Sequence, residues 1–447
     1  MRDIALALFI LGAIPFILMR PYLGLLVWSW LGYMNPNRLT YGFAYGFPWV
    51  QLIAIVTLLG LAFSSERKRI PISSVSVLLF VFLAWTGVTT VFAVEPVAAT
   101  AKFMEFLKIL VMVFVTLMLV NTRKRMHWLV WMIVVSLGFY GLKGGLFTIL
   151  TGGHSHVFGP AESFIADNNA LALALSMTIP FMRYLQLHAA RKWVRIGLGV
   201  SMLLTGVAIL GTYSRGGMIA LVIVAGALFL KSRRRFAVVL AVVVVGFVAW
   251  HFMPPQWTAR MDTLQHARKV NSAQTRIESW KFAANVAIHR PLFGGGFEVY
   301  KSGAMWGRYG PPGATPRAIH SIYFRILGEQ GFTGLALFLG LLLASWRKCS
   351  RVRKQTRGSP PLKWAFDLAS MLQVSLVAYV VAGAFLPMPY FDLSYQLMAL
   401  CALLAGHVVQ TIADQSPVDE RMTATNQRAS SALPDPVTKM HGAIRGT

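Results

Sequence analysis

The chain has 447 residues, 56% of them hydrophobic and 13% charged, with a mean hydropathy of +0.59. That excludes an ordinary soluble domain, which needs charged surface to stay in water, and points to the bilayer as solvent. A net charge of +26 would suit a nucleic-acid binder, but most Lys and Arg sit in short clusters between apolar runs, where they set topology, so no nucleic-acid partner is expected.

Apolar runs of about 15 to 25 residues recur along the chain, and roughly 20 residues of helix cross a hydrocarbon core. Continuous apolar runs without alternation select helices over a closed barrel. The expected fold is all-α: a polytopic membrane protein with about twelve transmembrane helices and one large periplasmic loop containing amphipathic helices. The opening run 4–19 has no small-x-small cleavage site behind it and reads as retained helix. It meets Arg20-Pro21, so 4–34 is either a hairpin broken there or one kinked helix. The hairpin gives about thirteen crossings and the kinked helix about twelve.

Basic clusters fix the orientation. Arg67-Lys68-Arg69, Arg123-Lys124-Arg125, Arg191-Lys192 with Arg195, Lys231 with Arg233 to Arg235, and the run 347–357 are expected in the cytoplasm. The turns at 94–101, 151–168, 211–217 and 386–392 are almost free of Lys and Arg except at Arg215. With the long loop they are expected to face the periplasm. The chain divides into N-terminal transmembrane helices over 1–252, the loop over 253–319, C-terminal transmembrane helices over 320–411 and a disordered cytoplasmic tail over 412–447. Cys349 and Cys401 fall in no metal-ligand spacing.

Within the loop, 275–290 has a helical period with Ile277, Trp280, Ala284 and Ala287 on one side, as in a helix lying flat on a membrane with its apolar face down. The aromatic residues Trp257, Phe297, Tyr300, Trp306 and Tyr309 suit either stacking on sugar faces or packing in the loop's own core.

Two polar features stand out. Thr212-Tyr213-Ser214-Arg215-Gly216-Gly217 lies between two apolar runs. An arginine at a helix end often only snorkels to the interface, but one in a glycine-rich turn is poised to grip an anion, and its fork matches phosphate oxygens. His320 opens the helix after the loop. A lone histidine is usually structural; here it is placed on the same membrane face as Arg215, and it accepts a proton near neutral pH, as a base on a hydroxyl must. Glu329, roughly two and a half turns deeper, is expected in an ion pair with a membrane Arg or Lys. No Asp-x-Asp pair or His/Cys cluster offers a metal site.

The Tyr-Ser-Arg215-Gly-Gly turn, Thr275-Arg276, Pro291 followed by Gly294 to Gly296, and His320-Ser-x-Tyr323 leading to Leu-Gly-Glu329-Gln-Gly331 together resemble the O-antigen ligase and polymerase superfamily. The stretches from Arg20-Pro-Tyr-Leu-Gly and from Met34-Asn-Pro-Asn-Arg38 further resemble putative O-glycosylation ligases associated with exosortase systems. The resemblance implies a bacterial inner-membrane enzyme that moves a glycan from undecaprenyl pyrophosphate to an acceptor hydroxyl, on a lipid A-core sugar or a protein, without metal or other cofactor and with inversion. It implies His320 and Arg215 as catalytic residues. Arg276, Arg317, Tyr213 and Tyr323 would bind substrate, with His320 either a base or a hydrogen-bond donor to the pyrophosphate. A polymerase joining lipid-linked repeat units is the alternative within the superfamily. A polysaccharide or lipid transporter is the alternative outside it, and would place paired charges in mid-span, for which Lys143 is the one candidate.

Overall fold

The computed structural model describes residues 1–66, 70–231, 239–240, 243–244, 246–247 and 268–431. The basic clusters at 67–69 and 233–235, Trp257 and the start of the long loop lie outside them.

Every regular element among the described residues is helical: α1 (Arg2–Met19), α2 (Pro21–Met34), α3 (Trp49–Phe63), α4 (Ser74–Val91), α5 (Pro96–Leu119), α6 (Arg123–Leu150), α7 (Asn168–His188), α8 (Lys192–Gly211), α9 (Arg215–Lys231), α10 (Arg268–His289), α11 (Gly303–Tyr309), α12 (Ile322–Gln355), α13 (Lys363–Gly383) and α14 (Asp392–Ser431), with two short 3-10 turns. Eight of these are long and apolar enough to cross a membrane: α1, α4, α6, α7, α8, α12, α13 and the first part of α14. The all-α, polytopic expectation is met. The opening segment is two helices, because Pro21 supplies no N–H and Arg20, at φ −138°, takes up the break between them. α14 continues to Ser431, into sequence where a disordered tail was expected from 412.

α7 lies at the centre of the bundle, most of its residues fully buried, between α8, α9 and α13. α6 packs closely on α8 because Gly145 has no side chain; a Cβ there would lie 2.2 Å from the Leu204 carbonyl oxygen. Lys143 is exposed on α6, so it suits snorkelling to an interface better than a place in a transport path.

Contacts between helix ends sort the bundle into two poles. At one, Arg125 grips Glu66 through two nitrogens at 2.7 and 2.9 Å, Arg123 lies over Trp364, and Asp367 pairs with His188 and Lys363. This pole gathers the described basic clusters. At the other, Asn168 donates to the Thr212 carbonyl, Val94 N–H to that of Gly295, and Arg38 pairs with Glu162 at 2.6 Å. His320 and Arg215 belong to this second pole.

The described part of the loop builds a small core of its own. Phe282 stacks on Trp306 at 4.2 Å, with Val286, Met305, Tyr309 and Ile319 around them. The buried face of α10 is Ser279, Phe282, Ala283, Val286 and Ala287, and it packs on α12, whose Gly328 lies against Ala283. This corrects the expected membrane-facing helix: Ile277, assigned to the apolar side, is exposed, and the apolar face is covered by protein. A helical period reveals that a face is buried, not what buries it.

Candidate active site

The site is framed by a break in α12. Gly331, at φ 70° and ψ −173°, leaves the helical path, so three successive carbonyls lose their partners one turn on. The Gly294-Gly295-Gly296 turn takes up two of them: Gly295 N–H donates to Gly328 at 2.8 Å and Gly296 N–H to Glu329 at 2.9 Å. The Trp85 indole donates to the Gln330 carbonyl at 3.1 Å, and Phe332 N–H turns to Pro291. Gly294 and Gly296 carry φ of 63° and 81°, open to glycine at little cost.

Beneath this turn lies a buried ionic network. Arg325 donates to Glu329 at 3.0 Å, Glu298 at 2.7 Å and the Pro387 carbonyl at 2.8 Å. Tyr390 donates to the other Glu329 oxygen at 2.7 Å, Glu298 N–H to Glu329 at 3.1 Å, and Lys301 pairs with Glu298 at 2.6 Å. Two cations thus face two carboxylates. The expected partner of Glu329 is Arg325, one turn before it on the same helix.

Above the network α12 begins at Ser321–Ile322, and His320 sits half-buried just before it, its carbonyl accepting from the Trp280 indole at 3.3 Å. Burial, then the positive field of Arg276, push its imidazole below the ordinary 6.5; Asp167 pulls the other way and Arg325 adds slightly to the depression. The guanidinium of Arg276 is itself pushed down by burial and then by Arg215. Arg276 therefore lies within electrostatic reach of both Arg215 and His320. Among the described residues, no carboxylate forms an ion pair with Arg215 or Arg276, and Arg215 is exposed.

The turn that carries Arg215 is built for position. Tyr213 adopts φ 56°, unusual for a bulky side chain, with its hydroxyl on the Gly153 carbonyl and its ring 4.5 Å from His156. Ser214 caps α9 by accepting from Gly217 N–H at 3.1 Å, leaving Arg215 as the first helical residue. Gly217 lets α9 approach α7, since a Cβ there would lie 2.5 Å from that of Ala172. Arg215 thus adds its charge to the positive end of a helix dipole.

The structure sets Arg276 within electrostatic reach of both Arg215 and His320, with the Tyr213 backbone in the same turn as Arg215. Arg317 is engaged elsewhere: it pairs with Glu278 at 3.1 Å and lies over Trp306. The Tyr323 hydroxyl donates to the Val380 carbonyl at 2.8 Å, joining α12 to α13. Phe297, Trp306 and Tyr309 are buried in packing, and Tyr300 bonds Glu298. Sequence reasoning missed Asp167, which caps α7 through Asn169 and Ala170 N–H groups. Its Asp-Asn-Asn run before an apolar segment marks it as a cap; nothing local ties it to His320. Among the described residues no three His, Cys, Asp or Glu side chains gather as a metal site requires.

Residues 200–339 match the model of a family described as O-Antigen ligase. The O-antigen ligase match contains Arg215, Arg276, His320, the four charged residues of the ionic network and the Gly331 break, while Tyr390 and Pro387 lie beyond it. It supports the O-antigen ligase superfamily and, at that level, a membrane enzyme of ligase or polymerase type. Residues 1–190, which contain Asp167, match a second model, described as Family of unknown function (DUF5935). No curated protein matches the chain.

Proposed function

We propose that this protein transfers a glycan from an undecaprenyl-pyrophosphate carrier to an acceptor hydroxyl at the periplasmic face of a bacterial inner membrane. The observation that carries this reading is the pair Arg215 and Arg276, two guanidinium groups within electrostatic reach of each other and, among the described residues, with no carboxylate ion-paired to either, near a histidine whose pKa is lowered. Two like charges held together suit a ligand of more than one negative charge, and a diphosphate supplies it. The orientation rests on the gathering of basic clusters at the opposite pole.

In the reaction the acceptor oxygen attacks the anomeric carbon from the face opposite the diphosphate. A carbon–oxygen bond to the sugar forms as the anomeric carbon–phosphate oxygen bond breaks, inverting the centre. Arg215 and Arg276 neutralise the charge that gathers on the departing undecaprenyl pyrophosphate, and the His320 imidazole takes the hydroxyl proton. Arg317, through Glu278 two residues from Arg276, steadies α10. The acceptor is a lipid A-core sugar or a protein.

Purified protein with lipid-linked glycan and candidate acceptors, followed by mass analysis of the product, tests this. Glycan on the acceptor is expected, with His320→Ala and Arg215→Ala inactive though folded. Longer lipid-linked chains would replace ligase with polymerase, and full activity in either variant would remove the site assignment.

A further inference from the structure

At the pole opposite His320 the structure holds a cavity of about 770 Å³ between the ends of α7, α9, α12 and the start of α13. It is distant from the site above: Lys231 in its wall ends the helix that Arg215 begins, roughly 24 Å away at 1.5 Å per residue. Among the described residues five cations line it, Arg183, Lys231, Arg353, Arg357 and Lys363, against one carboxylate, Asp367. That carboxylate is already engaged by Lys363 at 2.6 Å and His188 at 3.1 Å.

Topology alone explains basic residues in water-exposed loops. It does not explain polar atoms buried in a cavity wall. Among the described residues the Arg353 Nε and the Ser370 hydroxyl are both buried without a hydrogen-bond partner, although Arg353 is otherwise fixed by Gln373 at 2.8 Å and lies over the Phe366 ring. A buried guanidinium N–H left unmet costs free energy, so the cations that line the space beside these two atoms stand in a wall whose polarity the described residues leave unbalanced. The Ser370 carbonyl accepts from Lys231 at 3.0 Å, which sets that ammonium beside the same hydroxyl. The remaining wall is apolar, with Leu187, Leu228 and Met371 on the helices that run into the bundle.

We propose that this cavity binds a phosphate-bearing anion, the headgroup of an anionic phospholipid, with the phosphate among the cations Lys231, Arg353, Arg357 and Lys363 and an acyl chain along the apolar wall. A free phosphate shares the first half of that chemistry but makes no use of the second. Basic cavities between helices at a membrane boundary are suited to such headgroups. The inference does not depend on the glycan reaction.

The test uses the full chain, purified in detergent and stripped of lipid, with phosphatidylglycerol, phosphatidylcholine and inorganic phosphate as separate probes, read by native mass spectrometry and by the shift in thermal unfolding. Phosphatidylglycerol is expected to be retained in preference to phosphatidylcholine, and roughly tenfold less well by Arg353→Gln. The double variant Arg357→Gln with Lys363→Gln, whose side chains lie nearer the surface, decides the matter if Arg353→Gln does not fold, and should show the same direction of loss. Equal retention of the two lipids, or undiminished phosphatidylglycerol binding in the variants, would overturn the site. Displacement of phosphatidylglycerol by inorganic phosphate at equal concentration would keep the anion and overturn the lipid as its source.

Discussion

Replacing Arg325 by Met removes the cation that faces two buried carboxylates while keeping most of its volume. Glu329 is wholly buried and the Glu298 side chain is 7% exposed. Taking one partner from a buried ion pair costs about 3–5 kcal/mol, because a charge is left desolvated. Here the remaining donors soften the loss: Glu329 keeps Tyr390 and the Glu298 N–H, and Glu298 keeps Lys301 and Tyr300. The expected cost is therefore at the lower end, about 3 kcal/mol, a large part of a typical total of about 5–15 kcal/mol. Adding Glu329→Gln removes the charge that Arg325→Met strands, so the double variant should lose less than the sum of the two singles, by about 1–3 kcal/mol. Denaturant unfolding in detergent, followed by tryptophan fluorescence, measures all three. An Arg325→Met protein within about 0.5 kcal/mol of the parent, or strict additivity in the double variant, would refute the account.

Because burial and Arg276 hold the His320 pKa below 6.5, the imidazole is unprotonated at neutral pH. Transfer should hold there and fall as pH drops through the lowered value, on the acid side of 6.5. Arg276→Gln removes one cause of the depression, so the acid limb of its residual activity should move up in pH; a limb that stays in place would count against the coupling. Gly331→Ala puts a Cβ 2.3 Å from the Leu292 carbonyl oxygen at a positive φ, and should cost at least about 1–3 kcal/mol by the same unfolding assay. Arg317→Ala breaks a partly exposed pair with Glu278 and should slow transfer far less than Arg276→Ala, for which losing an anion-stabilising donor predicts roughly a hundred- to thousandfold drop. Equal losses in the two variants would put Arg317 on the anion.

The all-helical class was legible because bilayer solvation writes itself into composition and run length. The two poles were legible because the charges that orient helices lie next to one another in the chain. Arg215 and His320 could be matched to one pole for that reason. What stayed hidden depends on distance in sequence. Asp167 reaches His320 across the bundle, and Arg325 meets Glu298 through a loop whose fold no local period records. Arg317 and Tyr323 belong to the same motif region as Arg276 and His320, but a motif names neighbours in the chain and not where each side chain points. The aromatic residues of the loop fitted sugar stacking and core packing alike, and only the contacts of Phe297, Trp306 and Tyr309 choose packing. Cys349 and Cys401, 52 residues apart, lie 3.2 Å from sulfur to sulfur in a buried contact that no spacing rule anticipates.

The hand-over of three carbonyls at Gly331 bears on how a substrate arrives. If the segment from Pro291 to Gly296 swung outward, Gly328 and Glu329 would present bare carbonyls to an apolar surrounding, at about 1–3 kcal/mol each, and Phe332 would lose its acceptor. The segment is therefore a floor and not a lid. Trp85 and Thr89 of α4 fasten to Gln330 of the same floor, so an early helix holds it from the other side. For the proposed reaction this means that a lipid-borne donor reaches the site along the membrane plane, beside a fixed platform, and not by displacing this segment.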